Sequence, residues 1–212
     1  MDGFLLVFEI LGTIAFAVSG AMTGLKKRMD LFGVVILGLT TAVGGGIIRD
    51  LILGLTPPTT FQKPVYALIA LATAAIVFIP VVRRGLTRNA RVYETCLLWM
   101  DSVGLGVFTV MGIFIARSAQ QPCGAFLLIF VGVITGVGGG VVRDMMAGMT
   151  PYIFVKHVYA CASVAGAALC VALWPYLGQT VSMLCGMAVT VVLRVLSAHF
   201  RWNLPRAAGV GA

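Results

Sequence analysis

The sequence predicts an all-α integral membrane protein with seven transmembrane helices: two inverted three-helix repeats followed by a seventh helix. Its composition, its long apolar stretches and a duplicated motif support this prediction. Of the 212 residues, 60% are hydrophobic and only 10% are charged, and the mean hydropathy is +1.04. Soluble domains carry about 25% charged residues. A soluble chain of this kind would have to bury several helices that are apolar on every face, which excludes that class.

Seven stretches are long enough to cross a bilayer, for which about 20 apolar residues are needed. They cover residues 4–25, 31–53, 63–82, 96–116, 124–147, 155–175 and 179–198. Most of the Lys and Arg residues between them fall on one side of such a fold. The positive-inside rule places that side in the cytoplasm, so we expect the N-terminus outside and the C-terminus in the cytoplasm.

The formal net charge of +8 does not indicate binding to nucleic acid. The basic residues cluster between apolar stretches, at 26–28, at 83–91 and in the tail. No aromatic residues alternate with them as in a single-strand binding groove. We interpret them as topology signals, which leaves the lipid bilayer as the expected partner.

A glycine triplet followed by an Arg-Asp pair occurs twice. Gly44, Gly45, Gly46, Arg49 and Asp50 return as Gly138, Gly139, Gly140, Arg143 and Asp144. Each repeat contains three spans (about 4–82 and about 96–175), and an odd number of spans inverts the second copy relative to the first. The chain is therefore expected to be one transmembrane domain over residues 1–212. The unpaired seventh helix, about 179–198, would cover the repeat core or contact a neighbouring subunit rather than contribute to the site.

The triplets predict a local distortion of the second and fifth helices. Each glycine costs roughly 1 kcal/mol relative to alanine in a helix interior. We therefore expect both helices to kink or unwind near mid-membrane, where freed carbonyl groups of the two inverted copies would stabilise a cation. Close helix packing is the alternative, which the spacing of Gly132, Gly136 and Gly140 also permits.

The Arg-Asp pairs are the main candidate functional residues, because charges inside a membrane normally pair and face a bundle interior or water. Arg49 can pair with Asp50 or, across the repeats, with Asp144. Arg143 can likewise pair with Asp144 or, across the repeats, with Asp50. A structural lock that never contacts a permeant is the alternative role.

A second set of residues at matching positions is expected in a vestibule or gate: Glu9, Asp101, Lys63, Lys156, Tyr66 and Tyr159. The two acids would favour cations at the mouths, or would be ordinary helix-end charges. The two lysines would gate the mouths or extend to the lipid headgroups. The tyrosines would join them or belong to aromatic belts.

No catalytic, cofactor or metal site can be assigned. The histidines, His157 and His199, are isolated from each other and from any Cys or Glu spacing. No Ser-His-acid or Cys-His grouping is recognisable, and the glycine string lacks the third glycine of a dinucleotide motif. We expect a protein that is not an enzyme and binds no cofactor.

The paired motif at 44–50 and 138–144, within two three-span repeats and followed by a seventh span, resembles the bacterial and archaeal relatives of the trimeric intracellular cation (TRIC) channels. The same family is also described as glycine-transporter-like. The resemblance covers the chain to about residue 200. It implies a homotrimer in the inner membrane, with one K⁺- and Na⁺-permeable pore in each subunit. The kinked second and fifth helices would line that pore, with the Arg-Asp pairs beside it.

Three hypotheses of function follow. The first is a passive channel for monovalent cations. The second is a small-solute carrier, with glycine as the candidate, because inverted repeats suit alternating access and helix N-termini can hold a carboxylate. The third is a non-conducting membrane scaffold, in which Arg49→Ala and Asp50→Ala would change folding but no flux.

Overall fold

The computed structural model describes residues 3–119, 123–155 and 158–202. These residues form nine helices and no strand, so the predicted all-α class is confirmed. The helices are α1 (Gly3–Lys26), α2 (Leu31–Ile52), α3 (Thr59–Gln62), α4 (Val65–Phe78), α5 (Pro80–Leu86), α6 (Ala90–Ser118), α7 (Ala125–Met146), α8 (Tyr152–Val155) and α9 (Tyr159–His199).

Five of these helices, α1, α2, α6, α7 and α9, are long and apolar enough to span a membrane. Helices α4 and α5 together form a sixth candidate span that is bent by 80°. The bend occurs where Ile79 is extended and Pro80 begins α5. Helix α6 begins at Ala90, earlier than predicted, because the Asn89 side chain accepts a hydrogen bond from the Val92 amide at 2.7 Å and caps the helix.

Helix α9 contains 41 residues. At 1.5 Å per residue it would be about 60 Å long, roughly twice the thickness of the hydrocarbon core. It breaks at Gly178, whose φ of 72° is unfavourable for other residues. Beyond the break the chain folds back, since a methyl group added at Gly166 would overlap Thr190 and lie 2.5 Å from the Gly186 carbonyl oxygen. The two limbs correspond to the predicted sixth and seventh spans; the count of seven crossings stays a prediction.

The same helix contact occurs in both repeats. In the first, a methyl group added at Gly20 of α1 would lie 2.5 Å from the Thr41 hydroxyl oxygen of α2. In the second, a methyl group at Gly112 of α6 would lie 2.5 Å from the Thr135 hydroxyl oxygen of α7. Small residues therefore let the paired helices approach closely at equivalent positions, as expected of a duplicated unit.

The glycine triplets do not interrupt their helices. Helices α2 and α7 each run through the triplet as one helix, so the predicted unwinding is wrong, and with it the predicted cation site built from freed carbonyls. The triplets instead bring the two helices together. A methyl group at Gly45 would overlap the Thr135 carbonyl oxygen, and one at Gly139 would overlap the Thr41 carbonyl oxygen. Close packing, the alternative, accounts for these glycines, whereas a kink there stays a prediction.

Candidate functional site

A buried charge cluster lies among α1, α6, α7 and α9. We call it the repeat-two cluster, because most of its residues belong to the second repeat. Its side chains are polar, and each residue is at most 3% exposed: Ser19, Asp101, Arg143, Asp144, Tyr159 and Arg194. Charged groups are this deeply buried only where they are paired and hydrogen-bonded. The need to keep these charges paired therefore restricts how the four helices pack.

Arg143 is the centre of this cluster. Its Nη1 atom lies 2.6 Å from Oδ1 of Asp101, and its Nε atom lies 2.8 Å from Oδ1 of Asp144. Nη1 also donates to the hydroxyl of Ser19, and the guanidinium carbon lies 5.2 Å from the centre of the Tyr152 ring. One arginine thus connects α1, α6 and α7. Asp101 is fully buried within α6, so it is not an ordinary helix-end charge.

The second limb of α9 contributes to the cluster through Arg194, whose guanidinium carbon lies 4.7 Å from the centre of the Tyr159 ring. The Tyr159 hydroxyl lies beside Gly140 of α7, where an added methyl group would be 3.0 Å from it. The seventh span, expected to cover the repeat core or contact a neighbouring subunit, thus also contributes a side chain to this cluster. The alternative assignment of Tyr159 to an aromatic belt is wrong, because its side chain is buried. The two arginines balance the two aspartates, which leaves the repeat-two cluster near neutral.

Arg194→Gln is expected to lower the free energy of unfolding by about 2 kcal/mol, because a desolvated cation–π contact is lost and one buried carboxylate loses its balancing charge. Thermal unfolding of the detergent-solubilised protein measures this loss. Arg91→Gln, which removes an exposed arginine, is the control. The loss should shrink when Asp101→Asn is added, since the charges then balance again. An equal loss in both backgrounds would exclude this electrostatic role.

The first repeat forms a more open arrangement from the equivalent residues, Glu9, Arg49, Asp50 and Tyr66, which we call the repeat-one cluster. Glu9 accepts a hydrogen bond from the Tyr66 hydroxyl. Within the described part of the chain no ion pair joins Glu9 to Arg49. Both Glu9 and Tyr66 are only half-buried, unlike their buried counterparts in the second repeat. The acid of the first repeat is therefore partly accessible, whereas the acid of the second repeat is buried.

In both repeats the arginine pairs with the aspartate that follows it, with Nε to Oδ1 distances of 2.8 Å. The alternative pairing across the repeats is therefore wrong. The second oxygen of each aspartate holds the following loop: Oδ2 of Asp50 accepts from the Thr59 amide at 2.7 Å, and Oδ2 of Asp144 from the Tyr152 amide at 2.8 Å. These contacts favour a structural role for the two aspartates.

The third glycine of each triplet faces its cluster. A methyl group at Gly140 would lie 3.0 Å from the Tyr159 hydroxyl oxygen, whereas at Gly46 the nearest atom is Nη2 of Arg49 at 3.6 Å. The absence of a side chain at Gly140 thus makes room for Tyr159. All of the second triplet is buried, while Gly44 and Gly46 are half-buried, so the first triplet is the more accessible of the two.

The gating role expected of the two lysines stays a prediction. Lys63 is exposed at the end of α3. Lys156 lies outside the described residues. In the ranges that the structure describes, no group of three or more His, Cys, Asp or Glu side chains has the arrangement of a metal site.

Sequence reasoning missed Ser19 and Arg194. Ser19 contacts a residue 124 positions away in the chain, and no local pattern marks such a contact. Arg194 falls inside the predicted seventh span, 179–198. Its position in an apolar span is itself a signal for a functional site, because charges inside membranes are rare.

Comparison with known proteins agrees with the resemblance drawn from the motifs. The glycine transporter family model matches residues 6–81 and 98–175. The UPF0126 inner membrane protein YadS of Escherichia coli K12 is 37% identical over 199 residues, which cover 92% of this chain and 91% of that protein.

Two solved structures are similar over nearly the whole chain. One TRIC cation channel, solved to explain conductance, is 36% identical with a TM-score of 0.84, covering 97% of this chain and 98% of its own. The TRIC trimeric intracellular cation channel orthologue from Rhodobacter sphaeroides is 33% identical with a TM-score of 0.84, covering 93% and 98%. This chain is thus a multi-pass membrane protein that belongs to the glycine transporter family, with the UPF0126 proteins as relatives and the fold of the prokaryotic TRIC channels.

Proposed function

We propose that the protein is a channel for monovalent cations, K⁺ and Na⁺, with one pore in each subunit of a homotrimer. The similar solved structures, at 33% and 36% identity, are TRIC cation channels, and one of them is named as trimeric. The observation that carries the proposal is the pair of acids at equivalent positions of the repeats, Glu9 on α1 and Asp101 on α6. Acids inside membrane helices are unfavourable and typically mark ion pathways.

The proposed pathway follows α2 and α7 and passes both clusters. Because the triplets stay helical, side-chain oxygens rather than freed carbonyls stabilise the ion. Asp101 uses Oδ1 to bind Arg143, and its Oδ2 atom has no hydrogen-bond partner in the described ranges. That oxygen is buried here, and in this proposal it binds the cation when the pathway opens. At the other end the half-buried carboxylate of Glu9 raises the local cation concentration.

Arg143 closes the pathway in this proposal. Its guanidinium group occupies the space between Asp101 and Asp144 and repels a cation of like charge. Conduction then requires Arg143 to move away from Asp101. Each of the two charged groups must then gain water or another partner of opposite charge. The buried repeat-two cluster is therefore the closed gate, and the half-buried repeat-one cluster is the open vestibule.

The proposed setting is the inner membrane, with seven crossings, the N-terminus outside and the C-terminus in the cytoplasm. The E. coli relative is named an inner membrane protein. In this orientation Glu9 faces the outside, and the repeat-two cluster lies toward the cytoplasm. The protein has no proposed catalytic activity.

Flux into proteoliposomes tests the proposal, with K⁺ flux and uptake of labelled glycine measured on the same preparation. We expect K⁺ flux without glycine uptake. Glu9→Gln should lower K⁺ flux about fivefold, the effect of losing roughly 1 kcal/mol of attraction to a hydrated cation. Glu94→Gln, at an exposed acid outside both clusters, should leave the flux unchanged. Absence of any cation flux from the wild-type protein would contradict the proposal.

A small-solute carrier is the second candidate, because the matching family model is described as a glycine transporter. Inverted repeats also suit alternating access. Saturable glycine uptake without ionic current would favour this candidate over a channel. If neither solute crosses, a non-conducting scaffold becomes the better explanation.

A further inference from the structure

A cavity of about 600 Å³, lined by none of the residues of the two charge clusters, lies where α1 ends and α6 begins. The α4–α5 bend forms its third side, through Phe78 and Arg83. Because these residues lie at the ends of membrane-spanning helices, the cavity is at the level of the lipid headgroups. None of its lining residues belongs to the duplicated Gly-Arg-Asp motif.

The cavity has an excess of positive charge. Lys26, Arg28 and Arg83 line it, and Glu94 is the one acid among the lining residues that the structure describes. No ion pair joins Glu94 to these cations in the described ranges. The cavity therefore complements an anion, and the three cations are not neutralised by a partner carboxylate of the cavity.

Two of the cations lie against aromatic rings of the same cavity. Nζ of Lys26 is 5.1 Å from the centre of the Tyr93 ring, and Cζ of Arg83 is 5.7 Å from the centre of the Phe78 ring. Both contacts fall within the cation–π range, so they hold the charged groups at the wall. The apolar floor beside them includes Met29. A ligand that fits this cavity has an anionic head and an apolar portion.

The backbone conformation positions two of these basic side chains, those of Arg83 and Arg28. The 80° bend between α4 and α5 returns Arg83 over Phe78, the last residue of α4. Arg28, with φ 57°, has the left-handed conformation that commonly ends a helix, where glycine is the usual residue. An arginine at this position is less favourable than glycine, and its side chain lines the cavity.

We propose that this cavity binds the phosphate of an anionic glycerophospholipid, with the start of an acyl chain against Phe78 and Met29. Arginine recognises phosphate oxygens through paired hydrogen bonds, and basic pockets between membrane helices are suited to anionic headgroups. A soluble phosphate has the same charged group as the lipid headgroup, but it has no apolar portion to contact Phe78 and Met29.

Native mass spectrometry of the detergent-solubilised protein with dioctanoyl phosphatidylglycerol tests this proposal. The wild type should bind this lipid more tightly than dioctanoyl phosphatidylcholine, which has no net charge. Lys26→Ala/Arg83→Ala should weaken phosphatidylglycerol binding about tenfold. The matched control is Lys27→Ala/Arg84→Ala, which removes the same charge from neighbouring exposed residues that do not line the cavity; its effect should stay under about twofold.

Three results would overturn the proposal. Equal weakening in both double variants would mean that general surface charge, not the cavity, attracts the lipid. Unchanged binding in Lys26→Ala/Arg83→Ala would exclude the cavity directly. Displacement of the lipid by glycerol 3-phosphate at equal concentration would identify a soluble phosphate as the ligand instead. Arg83→Gln alone, which keeps most of the side-chain stem, repeats the test if the double variant does not fold.

Discussion

Gly45→Ala and Gly139→Ala are each expected to lower the free energy of unfolding by about 3 kcal/mol, because the new methyl group has no space between α2 and α7. At both positions it would overlap a backbone carbonyl oxygen of the facing helix, that of Thr135 or of Thr41. A backbone atom cannot rotate away as a side chain can. The helices must therefore separate, and separation disturbs every contact on both sides of the crossing. Thermal unfolding in detergent measures the effect.

Gly44→Ala is the matched control, since it lies in the same triplet of α2. There the nearest atoms belong to the Val142 side chain at 3.6 Å, an ordinary contact distance. Alanine at that position should be neutral, or more stable by up to about 1 kcal/mol through its better helix propensity. If the triplets acted instead as flexible points in the helix, all three substitutions would stabilise the protein alike. That pattern would contradict the packing role.

The helices themselves were predictable because a membrane span can be recognised from its local composition. Length and apolarity alone marked α1, α2 and α7 close to their observed ends. The duplication predicted two equivalent units, and the Gly20–Thr41 and Gly112–Thr135 contacts occur at equivalent positions in them. Both kinds of information lie in residue types at fixed spacing, which a single sequence contains.

The conformation of the triplets was not predictable from helix propensity. A penalty of roughly 1 kcal/mol per glycine predicted unwinding, but unwound backbone in a membrane leaves polar groups without partners. Here both helices keep their own backbone hydrogen bonds. Because the glycines have no side chains, the two helices can come into direct contact. The outcome depends on what faces Gly45 and Gly139 across the helix crossing, and sequence spacing does not specify that.

The difference between the two clusters also could not be predicted. Glu9 and Asp101 occupy matching positions, yet Glu9 binds Tyr66 whereas Asp101 binds Arg143. The second repeat obtains additional partners from outside its own three spans, Ser19 on α1 and Arg194 on α9. A duplicated sequence predicts equivalent positions. It does not predict which of two equivalent sites receives extra partners.

Arg143→Met is expected to lower the free energy of unfolding by about 3–5 kcal/mol, the loss typical when one partner of a buried ion pair is removed. Methionine fills much of the arginine volume, so the main change is electrostatic. Asp101 and Asp144 would both remain buried, with Arg194 as the remaining cation of the cluster. Arg49→Met is the comparison, and its loss should be smaller because Arg49 forms an ion pair with one carboxylate among the described residues.

Arg143→Met/Asp144→Asn separates a gate from a structural lock, because it removes the arginine and keeps Asp101, the proposed ligand of the cation. The double variant restores the charge balance of the repeat-two cluster, so it should recover a large part of the stability that Arg143→Met loses. If the Arg143–Asp101 pair closes the pathway, this variant should also conduct K⁺ faster than the wild type in proteoliposomes, since the obstructing cation is gone. If it regains stability without any increase in flux, the pair is a lock between α6 and α7 and the gate lies elsewhere. Because stability and flux are measured on the same variant, loss of folding cannot be mistaken for loss of conduction.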